Sequence, residues 1–543
     1  MAALCLCALL FISCSNSASS PSLPGKTSDW LFLFYYDADD TALNDDIYGN
    51  IREIEFALAQ IRNADGSPKG QYPSVTALVL WDGVSEIEAQ KNNKKYVHPE
   101  GALFELGPDY NLEYGAYAGE NKYNLGVVTL KDKNDLGDKF IVSPNTIDWT
   151  LQARAAGFLD VEPNMADGRT LENFLKWAKT YYSASNVVIS LSDHGSGPYK
   201  EPYEDSTKAD ASASISASLC TDHTNGNDRQ LTCKNVTDAL AAAGYVGGEK
   251  PKILWNDVCL QSSAEIVWNY KGCADYLLLS PNIAVSQEFV RIFTSIFKDM
   301  TPRDFGKIVV SSYHERYYED PHPCYKNKED AIAKRASGCS IPTFSLICAD
   351  EIKVNELKAA VDNFSDALLA LKNGGAEDQE LFKSVFEEYV EQFSLSLNDC
   401  KGLAYHGVYA FLSDLGYLAL QVLGDTKLSA LYPSATGLVN CLANGDDNLI
   451  VYAWGGKRAL GEKSYAWTNV SPNQLYITGG VDYISGKAVA VDRSENVFGL
   501  TIVSCPVFSD PSELEYDVVR NYDKWTGFST KWGQVINEWF KFY

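Results

Sequence analysis

Basic residues are in short supply: across 543 residues, 46 lysines and arginines face 71 aspartates and glutamates, a formal charge of −25. No Lys- or Arg-rich patch interrupts that balance, so a polyanion would be repelled and a nucleic-acid partner is excluded. The apolar stretch Ala2 to Ile12 falls well short of the roughly twenty residues needed to cross a bilayer. His223, His314 and His322 lack the HExxH pattern of a zinc peptidase.

Hydrophobic residues make up 45% of the chain, as in a globular protein. The length exceeds one ordinary core, so two or three packed units are expected. Leu31 to Tyr36 reads as a strand, Ile47 to Ile61 as a helix and Val75 to Trp81 as a second strand. That alternation predicts a parallel sheet with helices on both faces. A second helix, Thr170 to Tyr182, with Thr170 as its cap, leads into the apolar run Val187 to Leu191. Residues Ser192-Asp193-His194-Gly195 follow that run, and Ile253-Leu254-Trp255-Asn256-Asp257-Val258-Cys259 is a comparable stretch. Both stretches read as buried strands that deliver a reactive side chain to the carboxyl edge of the sheet, where chemistry collects. His194 and Cys259 lie 65 positions apart, room for a crossover whose helix is predicted over Leu231 to Ala243. A thiol beside an imidazole is the pairing used for covalent catalysis on acyl groups.

Histidine-glycine followed some tens of residues later by a cysteine at a strand end matches the caspase order, and at this point the chain resembles the clostripain family of cysteine endopeptidases. The resemblance extends over Trp30 to Tyr36 with Asp37, Asp39 and Leu43, over Glu162 to Trp177, over Ala274 to Ser280, over Thr343 to Ala370 and over Gly499 to Pro506. It implies an α/β fold, a caspase-like, mostly parallel sheet flanked by helices, with a more helical C-terminal α+β region. The expected division is a peptidase core over residues 29–300 and the α+β region over 301–543, packed on that core.

The resemblance also implies roles. Cys259 would attack the peptide carbonyl to give a thioester, and His194 would protonate the leaving amine and then activate water. The backbone N–H of Gly195 would help to hold the oxyanion. Asp257 would pair with a substrate Arg or Lys, unless it caps a helix starting near Leu260. Ser280-Pro281-Asn282 stands where many relatives carry an acidic residue, in the region that walls the specificity pocket. Self-processing after a basic residue would fall at Lys208-Ala209, with Lys200 second, unless Lys208 is one charge on a solvated loop. The chemistry needs no cofactor. Some relatives require calcium, for which Asp37, Asp39 and Asp40 are the candidates, the alternative being ordinary surface acids. The competing expectation is a peptidase-fold surface lipoprotein that binds without turnover.

Ala2 to Ile12 suits the apolar part of a secretory signal, and the residues around Cys14 resemble a bacterial lipobox. Residues 1–14 would then be the signal with Cys14 as the lipidated residue, and 15–28, rich in serine and proline, a flexible tether. Export to the bacterial cell envelope, membrane attachment through that lipid, protein or peptide substrates and a monomeric state follow as expectations. Cys220 with Cys233, and Cys324 with Cys339, are candidate disulfides in that oxidising setting.

Overall fold

The computed structural model describes residues 25–114, 128–131, 139–195, 197–198, 218–224, 229–281, 284, 286–318, 344–386, 412–453, 481–482, 487–488, 498–504, 522 and 526–542. Nine strands make one sheet: β1 (Lys26–Ala38), β2 (Val75–Gly83), β3 (Ala102–Glu105), β4 (Ile147–Asp148), β5 (Tyr182–Ser192), β6 (Ile253–Asp257), β7 (Tyr276–Leu279), β8 (Ser345–Cys348) and β9 (Ile450–Ala453). Their spatial order is β9-β8-β7-β6-β5-β1-β2-β3-β4. The central run β7-β6-β5-β1-β2 is parallel throughout. Antiparallel strands extend it at both ends, β3 and β4 on one side, β8 and β9 on the other. The expected caspase-like α/β sheet is present.

Strand β1 shows why this sheet needs cover on both faces. Every residue from Trp30 to Ala38 is buried, so no polar side alternates with an apolar one. Leu31, Leu33 and Tyr35 join one core, and Trp30, Phe32, Phe34 and Tyr36 join the other. Truncating one of these central aromatics, Phe34 for example, would cost about 3–5 kcal/mol. Helix Asn44–Ile61 covers the second core with Ile47, Ile51, Ile54 and Leu58. Helix Gly168–Tyr181 covers the first with Leu171, Phe174, Leu175 and Ala178.

Two boundaries differ from expectation. The Asp167 carboxylate, accepting from the Arg169 amide at 2.9 Å, caps the helix that leads to β5, which leaves Thr170 inside it. Strand β1 begins at Lys26, within the expected tether, because Lys26 to Ser28 continue the ladder against Tyr182 to Ala184.

Strands β3 and β4 lie in the stretch between β2 and the Thr150–Ala155 helix. Glu55 Oε1 on the first helix accepts from the Ser143 amide at 2.7 Å and the Thr146 hydroxyl at 2.8 Å, pinning that stretch to the core. Beyond residue 300, β8 leads into helix Glu351–Lys372. Gly499 to Val503 braces the chain just past β6. Thr501 donates its amide to Ser262 O at 2.9 Å, Ser262 Oγ donates to Gly499 O at 2.6 Å, and the Val503 amide donates to Glu265 Oε1 at 3.0 Å.

Candidate active site

The register of three parallel strands sets the site. Tyr36 on β1 pairs with Ser192 on β5, and Ser192 pairs with Asp257 on β6. His194 and Cys259 each lie two residues past that row, so the sheet carries both to the same edge. Gly195 then packs directly on the cysteine backbone: a Cβ there would sit 2.3 Å from Cys259 O and 3.0 Å from Cys259 N. Only glycine fits so close an approach. Leu260, directly after the cysteine, has φ +61°, a left-handed conformation that costs a branched residue roughly 1–2 kcal/mol. Its side chain is buried, which holds the turn in place.

A hairpin steadies the histidine loop from outside. Its first strand, Ser218–Asp222, bridges Gly195 through Leu219, the Cys220 amide donates to His194 O at 3.3 Å, and the Thr221 amide donates to Asp193 Oδ2 at 2.5 Å. Asp39 Oδ2 accepts from the amides of His223 and Thr224 at 3.1 and 2.6 Å.

The imidazole and the thiol have different partners. His194 Nε2 lies 3.4 Å from Asp40 Oδ2, and His223 Nε2 approaches the same oxygen at 3.6 Å. Burial disfavours a charged His194, but the Asp40 hydrogen bond and the charges of Asp193 and Asp40 outweigh it and raise its pKa to about 9. Burial also works against the Asp40 carboxylate, yet the His194 bond and charge bring it down to about 2. Cys259 Sγ accepts from the Ala284 amide at 3.3 Å and from the Gly195 amide. Burial pushes the thiol up to about 11; Asp257 and Asp193 add to the rise, while the two amides oppose it.

Residues 116–476 match the model of the clostripain family. The chain belongs to that family. It is a cysteine-type peptidase acting on proteins or peptides. Among solved structures, it is similar to a secreted C11 cysteine protease from Bacteroides thetaiotaomicron in complex with an irreversible peptide inhibitor: 14% identity, 92% of this chain and 99% of that one covered, TM-score 0.46. It is also similar to an inactive zymogen C11 protease from Parabacteroides distasonis: 14% identity, 95% and 99% covered, TM-score 0.45. No curated protein matches.

In this clostripain-family peptidase, Asp257 does not cap a helix. The next helix, Ala264–Asn269, starts at Ser263, whose hydroxyl accepts from the Ile266 amide at 3.3 Å. Asp257 Oδ1 instead accepts from Gln287 Nε2 at 2.6 Å, in a buried setting. The calcium candidates have separate surroundings. Asp40 serves the histidines, Asp39 the hairpin amides, and Asp37 is fully buried beside Asp82, its register partner, with neither oxygen hydrogen-bonded among the described residues. Asp37 is therefore no surface acid. Among the described residues no group of three or more His, Cys, Asp or Glu side chains is arranged to hold a metal ion. Cys220 and Cys233 are both free, buried thiols rather than a disulfide, each packed into the first core. Cys14, Lys200, Lys208, Ala209, Cys324 and Cys339 lie outside the described residues.

Sequence reasoning missed three residues of this site: Asp40 as the imidazole's partner, His223 beside it, and Gln287 on Asp257. Asp40 carried a signal, being an acid just past the first strand on the edge that receives His194. Gln287 carried none, because it reaches Asp257 from a stretch after β7 that has no periodicity.

Proposed function

We propose that this peptidase works through a dyad of Cys259 as nucleophile and His194 as acid and base, cutting after Arg or Lys. The observation that supports it best is the Tyr36–Ser192–Asp257 row, which sends the two residues to one edge with the Gly195 amide on the sulfur. In this reading Sγ leaves the Gly195 amide when it attacks, and the substrate oxyanion takes that donor, a contribution of about 3 kcal/mol to the transition state. Imidazolium at His194 supplies the proton that the leaving amine requires. With His194 raised to about 9 and Cys259 to about 11, the reactive form has one proton fewer than the form dominant at neutral pH. Asp257 would meet the basic side chain of the substrate. A panel of peptides varied at the residue before the scissile bond tests this: cleavage after Arg or Lys is expected from the full chain and none from Cys259→Ala. Cleavage confined to neutral residues would discard Asp257 as the determinant.

The same proposal places the protein at the bacterial cell envelope, held by a lipid on Cys14. The eleven or so apolar residues before that cysteine and the serine-rich stretch after it support this. Fatty-acid labelling of the protein, lost in Cys14→Ser along with membrane fractionation, is the expected result. Equal labelling of both proteins would remove the anchor.

A further inference from the structure

Asn256 stands one residue before Asp257 on β6 and, like Leu254 two positions earlier, faces the first core. It is fully buried, and its Oδ1 has no hydrogen-bond partner among the described residues. Both donors of its Nδ2 are used, one on Gln261 Oε1 at 3.3 Å and the other on the Tyr270 hydroxyl at 3.2 Å. Gln261 and Tyr270 are fully buried as well. The bond to Gln261 closes a ring of chain that contains Cys259 and the left-handed Leu260. The far side of that ring is anchored, since the Ser262 amide donates to Ser280 O at 2.8 Å. The Tyr270 hydroxyl accepts from Asn256 and donates to the Cys233 sulfur. Cys233 starts helix Cys233–Ala242 directly after strand Arg229–Thr232, whose Leu231 pairs with Leu219, the residue that bridges Gly195. A continuous path thus joins the cysteine turn to the hairpin beside the histidine.

Stability alone does not account for this side chain. An amide buried with one oxygen unsatisfied carries a desolvation cost that an apolar side chain of similar volume avoids. What an apolar side chain cannot supply is a bond across the turn. We propose that Asn256 is a positioning residue for the peptidase reaction: bonded to Gln261, it holds the Cys259 turn closed, and through Tyr270 and Cys233 it fixes that turn relative to the hairpin that steadies His194. The inference rests on the reading of Cys259 as the nucleophile. Asn256 acts on the sulfur through the backbone of the turn. With the clamp in place, Sγ stays within reach of the Ala284 and Gly195 amides, which counter the rise that burial, Asp257 and Asp193 impose on the thiol. Without it, Leu260 is free to leave its left-handed conformation for an ordinary one, and the sulfur shifts away from both donors.

The test uses the full chain and three readouts: kcat and KM on a peptide that the parent cleaves, the rate of Cys259 alkylation by iodoacetamide across pH, and the melting temperature. Asn256→Leu should lower kcat roughly 10–100-fold with KM changed by no more than about threefold, the pattern of a misplaced reacting group. Its alkylation should be slower at neutral pH, with the midpoint moved upward, because the thiol has lost the two amides. Its melting temperature should stay within about 3 °C of the parent's. Gln261→Leu should behave alike, and the double variant should be no worse than either single one. Tyr270→Phe removes only the hydroxyl, so it should lower kcat about three- to tenfold in the parent, the worth of one hydrogen bond, and leave Asn256→Leu unchanged. If Asn256→Leu fails to fold, Tyr270→Phe decides alone, and parental kcat and alkylation in that variant overturn the assignment. Losses that add in the double variant, or that follow the melting temperature, also overturn it. Full activity in Cys259→Ala overturns the nucleophile and this inference together. An inactive Cys259→Ala beside parental behaviour in Asn256→Leu and Gln261→Leu overturns this inference only.

Discussion

His194 Nε2 and Asp40 Oδ2 stand 3.4 Å apart, and the carboxylate oxygen that meets the imidazole is also 3.6 Å from His223 Nε2. The charged groups acting on His194 are Asp40 and Asp193, both negative, and together they hold the ring as a cation well above its ordinary range. Asp40 is a positioning residue in this arrangement, acting through the ring. Replacing it by asparagine keeps a hydrogen-bonding side chain and removes the charge. The acid limb of the kcat/KM profile should then move down by about 1–2 pH units as His194 gives up its proton more readily. An unshifted limb in Asp40→Asn would show that Asp40 does not set the protonation of the His194 ring.

Gly195→Ala places a methyl group where Cys259 O and N already are, 2.3 and 3.0 Å away. These are backbone atoms and cannot swing aside. Turnover should fall roughly 10²–10³-fold, the usual loss for one oxyanion donor. A melting temperature close to that of the parent, with activity lost, would place the damage in the site; full activity would mean that the Gly195 amide plays no part.

Asp37 and Asp82 are register partners, fully buried, and burial drives both carboxyl groups well above their usual range, with neighbouring carboxylates adding to the effect. A carboxyl with a raised pKa in the folded protein binds its proton more tightly there than when unfolded. Stability therefore falls as pH rises from the unfolded value near 4 towards the folded one. Asp37→Asn removes the Asp37 share of that dependence. Its melting temperature should exceed the parent's by about 1–3 °C at pH 7.5 and match it near pH 3.5. Calorimetry at the two values checks this, and an equal offset at both would point to packing instead.

Self-processing is proposed at Lys208-Ala209. Lys208→Ala should stay a single chain where the parent appears as two fragments on a denaturing gel, and Cys259→Ala should behave like it. A parent cut elsewhere, identified by the new N-terminus, would shift the assignment to another basic residue such as Lys200.

The legible parts of this protein were those governed by apolar runs. Val187 to Leu191 and Ile253 to Trp255 announce buried strands because both faces are covered, and glycine after histidine announces a close backbone approach. The cap at Asp167 was not legible, since Thr170 offers similar chemistry three positions later. Cys220 and Cys233 suggested a disulfide by proximity in sequence, but cores accept free thiols as small apolar groups, and both side chains are wholly enclosed. The partners of Asp40 and Asp257 come from distant or aperiodic segments, and only the folded chain brings them together.

The brace from Gly499 to Val503 onto Ser262 and Glu265 has a meaning in time as well as in space. Cys259 is made 240 residues before Gly499. At about 5–20 residues per second, synthesis leaves the stretch behind the cysteine without its partners for roughly 12–48 s. A chain released early, ending before residue 499, should expose that stretch to limited proteolysis. Proteolytic resistance equal to that of the full chain would show that the brace is dispensable. Until Gly499 to Val503 have been made, the newborn protein holds Cys259 on an unfinished support, and that distant segment decides when the support is complete.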